Sequence, residues 1–210
     1  MTMTEKPNSF NFYHPQPLMI VISGISAAGK DSVVRHLEKR GLPIHFVVTA
    51  TSRPPRPSET HGVDYFFVTR AEFEQMIADD ELIEYAKVYS DYKGVPKAQV
   101  RQAMSSGKDV IMRVDVQGAE TMRAKFPEAV LIFLTTNSEE EFIRRLTARG
   151  TESPEEIHLR IATAYRELET STLFDYIVIN ADNQLDEAVD DIIAIITAEH
   201  HRVEHRKVSL

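Results

Sequence analysis

From Leu18 onward the chain alternates short, continuous apolar runs with segments of helical period. "LMIVIS" (18–23), "HFVVTA" (45–50), "DVIMRV" (109–114), "AVLIFL" (129–134) and "YIVIN" (176–180) are rich in Val, Ile and Leu and lack polar alternation. Such runs predict strands buried on both faces, and their spacing by helical segments predicts an α/β fold with a central parallel sheet between helices. Three helix starts carry a capping hydroxyl ahead of an acid: Thr69 with Glu72, Ser138 with Glu141, and Ser153 with Pro154 and Glu156.

Two stretches break this rhythm. Residues 52–106 hold a Pro/Arg loop, the aromatic run "DYFFV", a short helix and "LIEYAKVY", and read as a small lobe inserted between core strands. Residues 149–160 are polar, precede a long helix and read as a lid. One domain over 18–200 is expected, its core formed by 18–51, 107–148 and 161–200. A disordered tail (1–17) is expected before it, and after it a fraying, solvated tail (201–210), the favoured reading over metal binding by His200, His201 and His205.

Composition narrows the partners. A formal charge of −8 opposes a general nucleic-acid or membrane surface, so a phosphate ligand must meet a local basic cluster. With no cysteine, disulfides and thiolate zinc sites are excluded, which suits a reducing cytoplasm. "PLMIVI" is too short to span a bilayer, and the first sixteen residues lack the basic start and apolar middle of a secretory leader.

The first candidate chemistry is "GISAAGKDS", residues 24–32: Gly24, four residues, then Gly29 and Lys30. It follows an apolar run and opens the helical segment "DSVVRHLEKR", where free backbone N–H groups and the helix dipole favour a bound phosphate. Lys30 supplies a point charge for β- and γ-phosphate oxygens. Asp31 stands where a Ser or Thr usually follows the lysine, and as a carboxylate it suits a hard ion such as Mg²⁺. The second is "TSRPPRPSETHGVDYFFV" (51–68), where Arg53 and Arg56 form two guanidinium forks in a proline-shaped loop. Taken alone, that loop also reads as merely basic and solvated.

These segments, with "LIEYAKVY", "VDVQGA", "LTARGTESPEEIHLRIATAYREL" and "FDYIVIN", resemble guanylate kinase in the same order over nearly the whole chain. The resemblance implies a P-loop three-layer core with a GMP-binding lobe and a helical lid, phosphorylating GMP (and dGMP) with ATP in purine metabolism. It places ATP on Gly24, Ser26, Ala27, Ala28, Gly29, Lys30, Asp31 and Ser32, with Asn180 near the adenine. GMP falls to Thr49, Arg53, Arg56, Glu59, Tyr65, Glu84, Lys93 and Asp115; Glu84 accepts the guanine protons, which adenine does not offer. Lys30, Arg145, Arg149 and Arg160 are the implied catalytic cations, and Asp31 and Asp115 the implied Mg²⁺ ligands. Arg145 and Arg149 also read as cations favoured at a helix C-terminus.

The chain departs from the family pattern at four places. Besides Asp31, Lys93 and Val95 in "DYKGVP" replace a tyrosine and a serine, and Arg113 replaces an aspartate. Lys93 or its neighbour Tyr92 is left to make the phosphate contact. Two rivals share the resemblance: a kinase acting on a sugar bisphosphate, and a non-catalytic binding module. Arg53, Arg56, Glu59, Tyr65 and Glu84 argue against the first; Lys30, Asp115 and the lid arginines argue against the second.

Overall fold

In a computed structural model, residues 16–57, 59–148 and 154–208 are described. Five parallel strands form the core sheet in the order β2-β7-β1-β8-β9. They are β1 (Met19–Gly24), β2 (Ile44–Phe46), β7 (Asp109–Arg113), β8 (Val130–Thr135) and β9 (Tyr176–Ile179). β1 is central, with Ile20 level with Ile111 of β7 and Val130 of β8.

The apolar runs are continuous because both faces are covered. Ile20, Ile22, Ile132 and Leu134 pack under α1 (Lys30–Lys39), α5 (Glu139–Thr147) and α7 (Leu185–His200). Their neighbours Met19, Val21, Met112 and Leu131 face α3 (Lys97–Ser105) and α4 (Val116–Lys125). Alternate side chains of one strand thus serve two cores, giving three layers.

The inserted lobe has a second sheet, in the order β4-β3-β6-β5. It comprises β3 (Ala50–Thr51), β4 (Phe66–Phe67), β5 (Leu82–Val88) and β6 (Asp91–Pro96), and α2 (Arg70–Ala78) closes it. Ala50, Phe73 and Leu82 make its small core. The single strand expected at 45–50 is therefore split. Val47 still donates to the Ile111 carbonyl at 2.9 Å, but Thr49 already accepts from Phe66 N at 2.8 Å, so the run changes sheets midway. An apolar run records burial, not which sheet does the burying.

Thr69 caps α2 in a full capping box with Glu72, and Ser138 caps α5 by accepting from Glu141 N. Ser153, the third expected cap, lies outside the described residues, as do residues 1–15 of the expected tail. α6 (Pro154–Glu169) runs unbroken past residue 160. Past α7 the chain is exposed over residues 201–204, but it is tied down on both sides of that stretch. α7 stops at His200, whose Nε2 lies 2.8 Å from Asp109 Oδ2, and the chain then folds back so that Arg206 reaches buried Glu199. A buried carboxylate needs a cation, and the tail supplies it.

Candidate active site

The C-terminal ends of the core strands and the inserted lobe enclose a cleft of about 720 Å³. Open parallel sheets bind ligands at this end. Gly24, Ser26, Ala27, Gly29, Lys30, Asp31, Ser32, Thr49, Arg53, Arg56, Tyr65, Glu84, Lys93, Asp115 and Arg160 all line it. Residues far apart in the sequence are therefore brought to one cleft.

The phosphate loop owes its path to two glycines. At Gly24 (φ +136°) a Cβ would lie 1.9 Å from the Leu134 carbonyl oxygen, so only glycine lets β1 leave the sheet beside β8. At Gly29 (φ +89°) a Cβ would lie 2.3 Å from Asn180 Nδ2. Asn180 is buried behind the loop and donates to the Ala28 carbonyl at 2.8 Å. It positions the loop from below.

Lys30 folds back over the loop, donating to the carbonyls of Gly24 and Ile25 at 2.7 and 2.8 Å. Burial pushes its ammonium down to about 8, with Glu167 foremost among the carboxylates that oppose the shift. Glu167 also accepts from Ser26 N at 3.3 Å, and burial raises its carboxyl. Sequence reasoning missed Glu167. A signal existed, because Glu156, Arg160 and Glu167 recur at helical spacing along α6 and all three face the cleft.

Across the cleft, Glu59 holds Arg53 in a bidentate fork at 2.7 and 2.6 Å and accepts from Arg56 N at 2.8 Å. Burial works to raise the Glu59 carboxyl, but this pairing holds it below its usual value. The buried Tyr65 ring lies under Arg53 at 5.1 Å, Lys93 at 5.9 Å and Arg113 at 4.5 Å. Three cations converging on one ring make a place for an anion. Deeper in, Glu84 is 4% exposed and its Oε2 has no hydrogen-bond partner. Burial, then Asp115, pushes its carboxyl up to about 8.

Further cations beside the phosphate loop come from two elements. Arg160 on α6 donates to Ser26 Oγ at 3.2 Å and lies 4.5 Å from the centre of the Tyr89 ring on the β5–β6 turn. Arg145 does not line the cleft; its Nε donates to Asp182 at 3.0 Å, while NH1 stands 4.0 Å from where a Gly29 Cβ would be. Arg149 lies outside the described residues.

Asp31 and Asp115 both border the cleft. The Asp31 contacts, to Arg113 NH1 at 2.8 Å and Tyr65 OH at 3.4 Å, use Oδ1. Asp115 Oδ1 caps α4 by accepting from Gly118 N at 2.9 Å. Among the described residues no group of three or more His, Cys, Asp and Glu could bind a metal unaided. Two carboxylates beside a phosphate loop do fit Mg²⁺ that keeps waters and phosphate ligands of its own.

Comparison with known proteins agrees with this geometry. A sequence model of the guanylate kinase family matches residues 16–199. The chain is 47% identical over 197 residues to guanylate kinase 2, chloroplastic/mitochondrial, of Oryza sativa subsp. japonica, covering 93% of this chain and 69% of that protein. It is 44% identical over 192 residues to a guanylate kinase of Caldanaerobacter subterraneus subsp. tengcongensis, covering 91% and 92%. The crystal structure of guanylate kinase from Anaplasma phagocytophilum superposes with a TM-score of 0.74 at 28% identity, over 90% of this chain and 88% of that one. A phosphate loop facing a cationic cup, on a chain matched nearly end to end, places the protein in the guanylate kinase family.

Proposed function

We propose that the chain transfers the γ-phosphoryl group of ATP to GMP, and to dGMP, giving ADP and GDP or dGDP. The observation that carries this reading is the pairing of two anion sites with one buried acid: the Lys30 loop, the cation-ringed Tyr65 and Glu84 share a single cleft. Guanine presents an N–H and an amino group side by side, and Glu84, on giving up the proton that burial holds on it, accepts from both.

No general base is needed, because a GMP phosphate oxygen is the nucleophile. It bonds to the γ-phosphorus as the bond from that phosphorus to the β–γ bridging oxygen breaks, and the electron pair leaves on ADP. Arg53 and Arg56 hold the acceptor phosphate, while Lys30, Arg160 and, in this reading, Arg145 and Arg149 offset charge on the transferred group. Mg²⁺ carried by ATP, when bound, supplies Lewis-acid stabilisation of the phosphate oxygens, with Asp31 and Asp115 to hold it. Glu59, Asn180 and Glu167 fix the binding groups in place, which is most of what phosphoryl transfer asks of a protein.

A coupled assay of ATP with GMP, dGMP, AMP, UMP and CMP, with and without Mg²⁺, tests the proposal. Turnover confined to the guanine nucleotides and dependent on Mg²⁺ is expected; equal rates with AMP, or none with GMP, overturn it. We also place the reaction in the cytoplasm, and cell fractionation decides between that and the organelles named for the rice relative.

A further inference from the structure

Two residues that depart from the family pattern meet in space. Arg113, at the end of β7, sets NH1 2.8 Å from Asp31 Oδ1 and donates from NH2 to the Asp64 carbonyl at 2.9 Å. Its Nε is buried without a hydrogen-bond partner. Its guanidinium lies over the Tyr65 ring, whose hydroxyl is itself 3.4 Å from Asp31 Oδ1. Arg113 thus touches the first turn of the phosphate-loop helix with one nitrogen and the acceptor loop with another.

We propose that Arg113 is an acceptor-phosphate-binding residue held in reserve by Asp31, so that this ion pair couples arrival of the donor nucleotide to the grip on the acceptor. The inference rests on the reading of the cleft as an ATP:GMP phosphotransferase site. A carboxylate next to Lys30 repels donor phosphates unless a cation neutralises it, and the guanidinium paired with Asp31 is that of Arg113. When the donor arrives with its divalent ion, Asp31 gains a harder partner and releases the guanidinium. Arg113 already stands at the ring that Arg53 and Lys93 surround, so a rotation of its fork brings it to a phosphate dianion there. The alternative, a permanent strut, makes the opposite forecast for removal of the Asp31 charge.

Calorimetric titration of GMP into the full chain separates the two, performed with and without Mg²⁺ and a non-hydrolysable ATP analogue. In the unaltered protein GMP binding tightens about tenfold when donor and metal are present, a typical coupling between sites. Asp31→Asn frees Arg113, so GMP binds tightly without donor and gains little on its addition. Arg113→Gln binds GMP weakly in both conditions and loses the coupling. If Asp31→Asn weakens GMP binding without donor, or leaves it unchanged, or if Arg113→Gln keeps the full coupling, the proposal is overturned. Should Arg113→Gln melt below the assay temperature, Arg113→Lys replaces it: one ammonium cannot span Asp31 and the acceptor loop, so coupling is again lost, and retained coupling overturns the proposal. Unaltered protein that makes no GDP sinks the functional reading; unaltered protein that makes GDP, beside an Asp31→Asn variant that binds GMP no more tightly, sinks the ion-pair switch alone.

Discussion

Glu84 shows what a single side chain gives up for the task proposed for it. It is buried with one oxygen unpartnered, an arrangement that costs stability. Gly118 makes room for it, since a Cβ there would lie 2.4 Å from Glu84 Oε2. With its carboxyl raised from 4.5 to about 8, the folded protein holds a proton that the unfolded chain has lost across that window. The stability this brings is fully present below pH 4.5 and is lost as the pH rises to about 8. Glu84→Gln should therefore melt above the unaltered protein by a few degrees at pH 8.5, at about 2–4 °C per kcal/mol for this size, with a smaller gap at pH 5.5. Its kcat/KM for GMP should fall at least about 10²-fold, because an amide offers guanine only one acceptor. Melts at the two pH values and steady-state kinetics check both expectations.

At the scale of elements, α6 does the joining. Tyr165 and Leu168 on this helix are exposed, while Leu159, Arg160 and Glu167 line the cleft. Arg160 connects three parts of the molecule: its own helix, Ser26 of the phosphate loop and Tyr89 of the inserted lobe. Tyr89 has φ +58°, and a left-handed backbone at a bulky residue costs about 1 kcal/mol or more, so the turn is strained to present this ring. Arg160→Ala should lower kcat by about 10³-fold, in the range for arginines that stabilise a transferred phosphoryl group, while shifting Tm by no more than about 2 °C. Loss of stability with kcat retained would mean that Arg160 serves helix packing instead.

At the scale of the whole molecule, the two ends of the sheet have opposite duties. The cleft end keeps unsatisfied atoms: Thr49 Oγ1, Glu84 Oε2 and Arg113 Nε are all buried without partners. The far end, where the strands begin, is closed by hydrogen bonds and ion pairs, with His200 Nδ1 a buried atom left unpartnered there. Asp109 accepts from Leu18 N at 2.9 Å, and Asp175 accepts from Leu131 N at 2.8 Å. Glu199, 1% exposed, accepts from Tyr176 OH at 2.7 Å and Arg206 Nε at 2.8 Å. Burial alone would raise the Glu199 carboxyl, but Arg206 and Tyr176 hold it below its usual value. That contribution is complete above the ordinary glutamate pKa of about 4.3 and is lost as the pH falls through the lower folded value. Arg206→Ala strands a buried charge and should cost about 3 kcal/mol at pH 7, with KM for both nucleotides unchanged. A denaturant titration beside kinetics tests this; intact stability would mean the tail is a passenger.

How much of this was legible varies by feature. The phosphate loop, the caps at Thr69 and Ser138 and four of the five core strands could be read because each depends on residues close in sequence: a glycine spacing, a hydroxyl three places before an acid, an apolar run. The α/β class followed from that rhythm, and family membership from six motifs in order. The split of 45–50 between two sheets, the docking of Arg206 on Glu199, the buried clasp of Asn180 on Ala28 and the meeting of Asp31 with Arg113 were not legible. Each joins groups whose approach is set by how layers stack and strands order, and local pattern carries no record of which distant charge a buried charge will find. Sequence alone determined which chemical groups this protein carries and the local bends that present them; tertiary structure alone decided which groups face one another, because long-range pairing is settled only when the layers close.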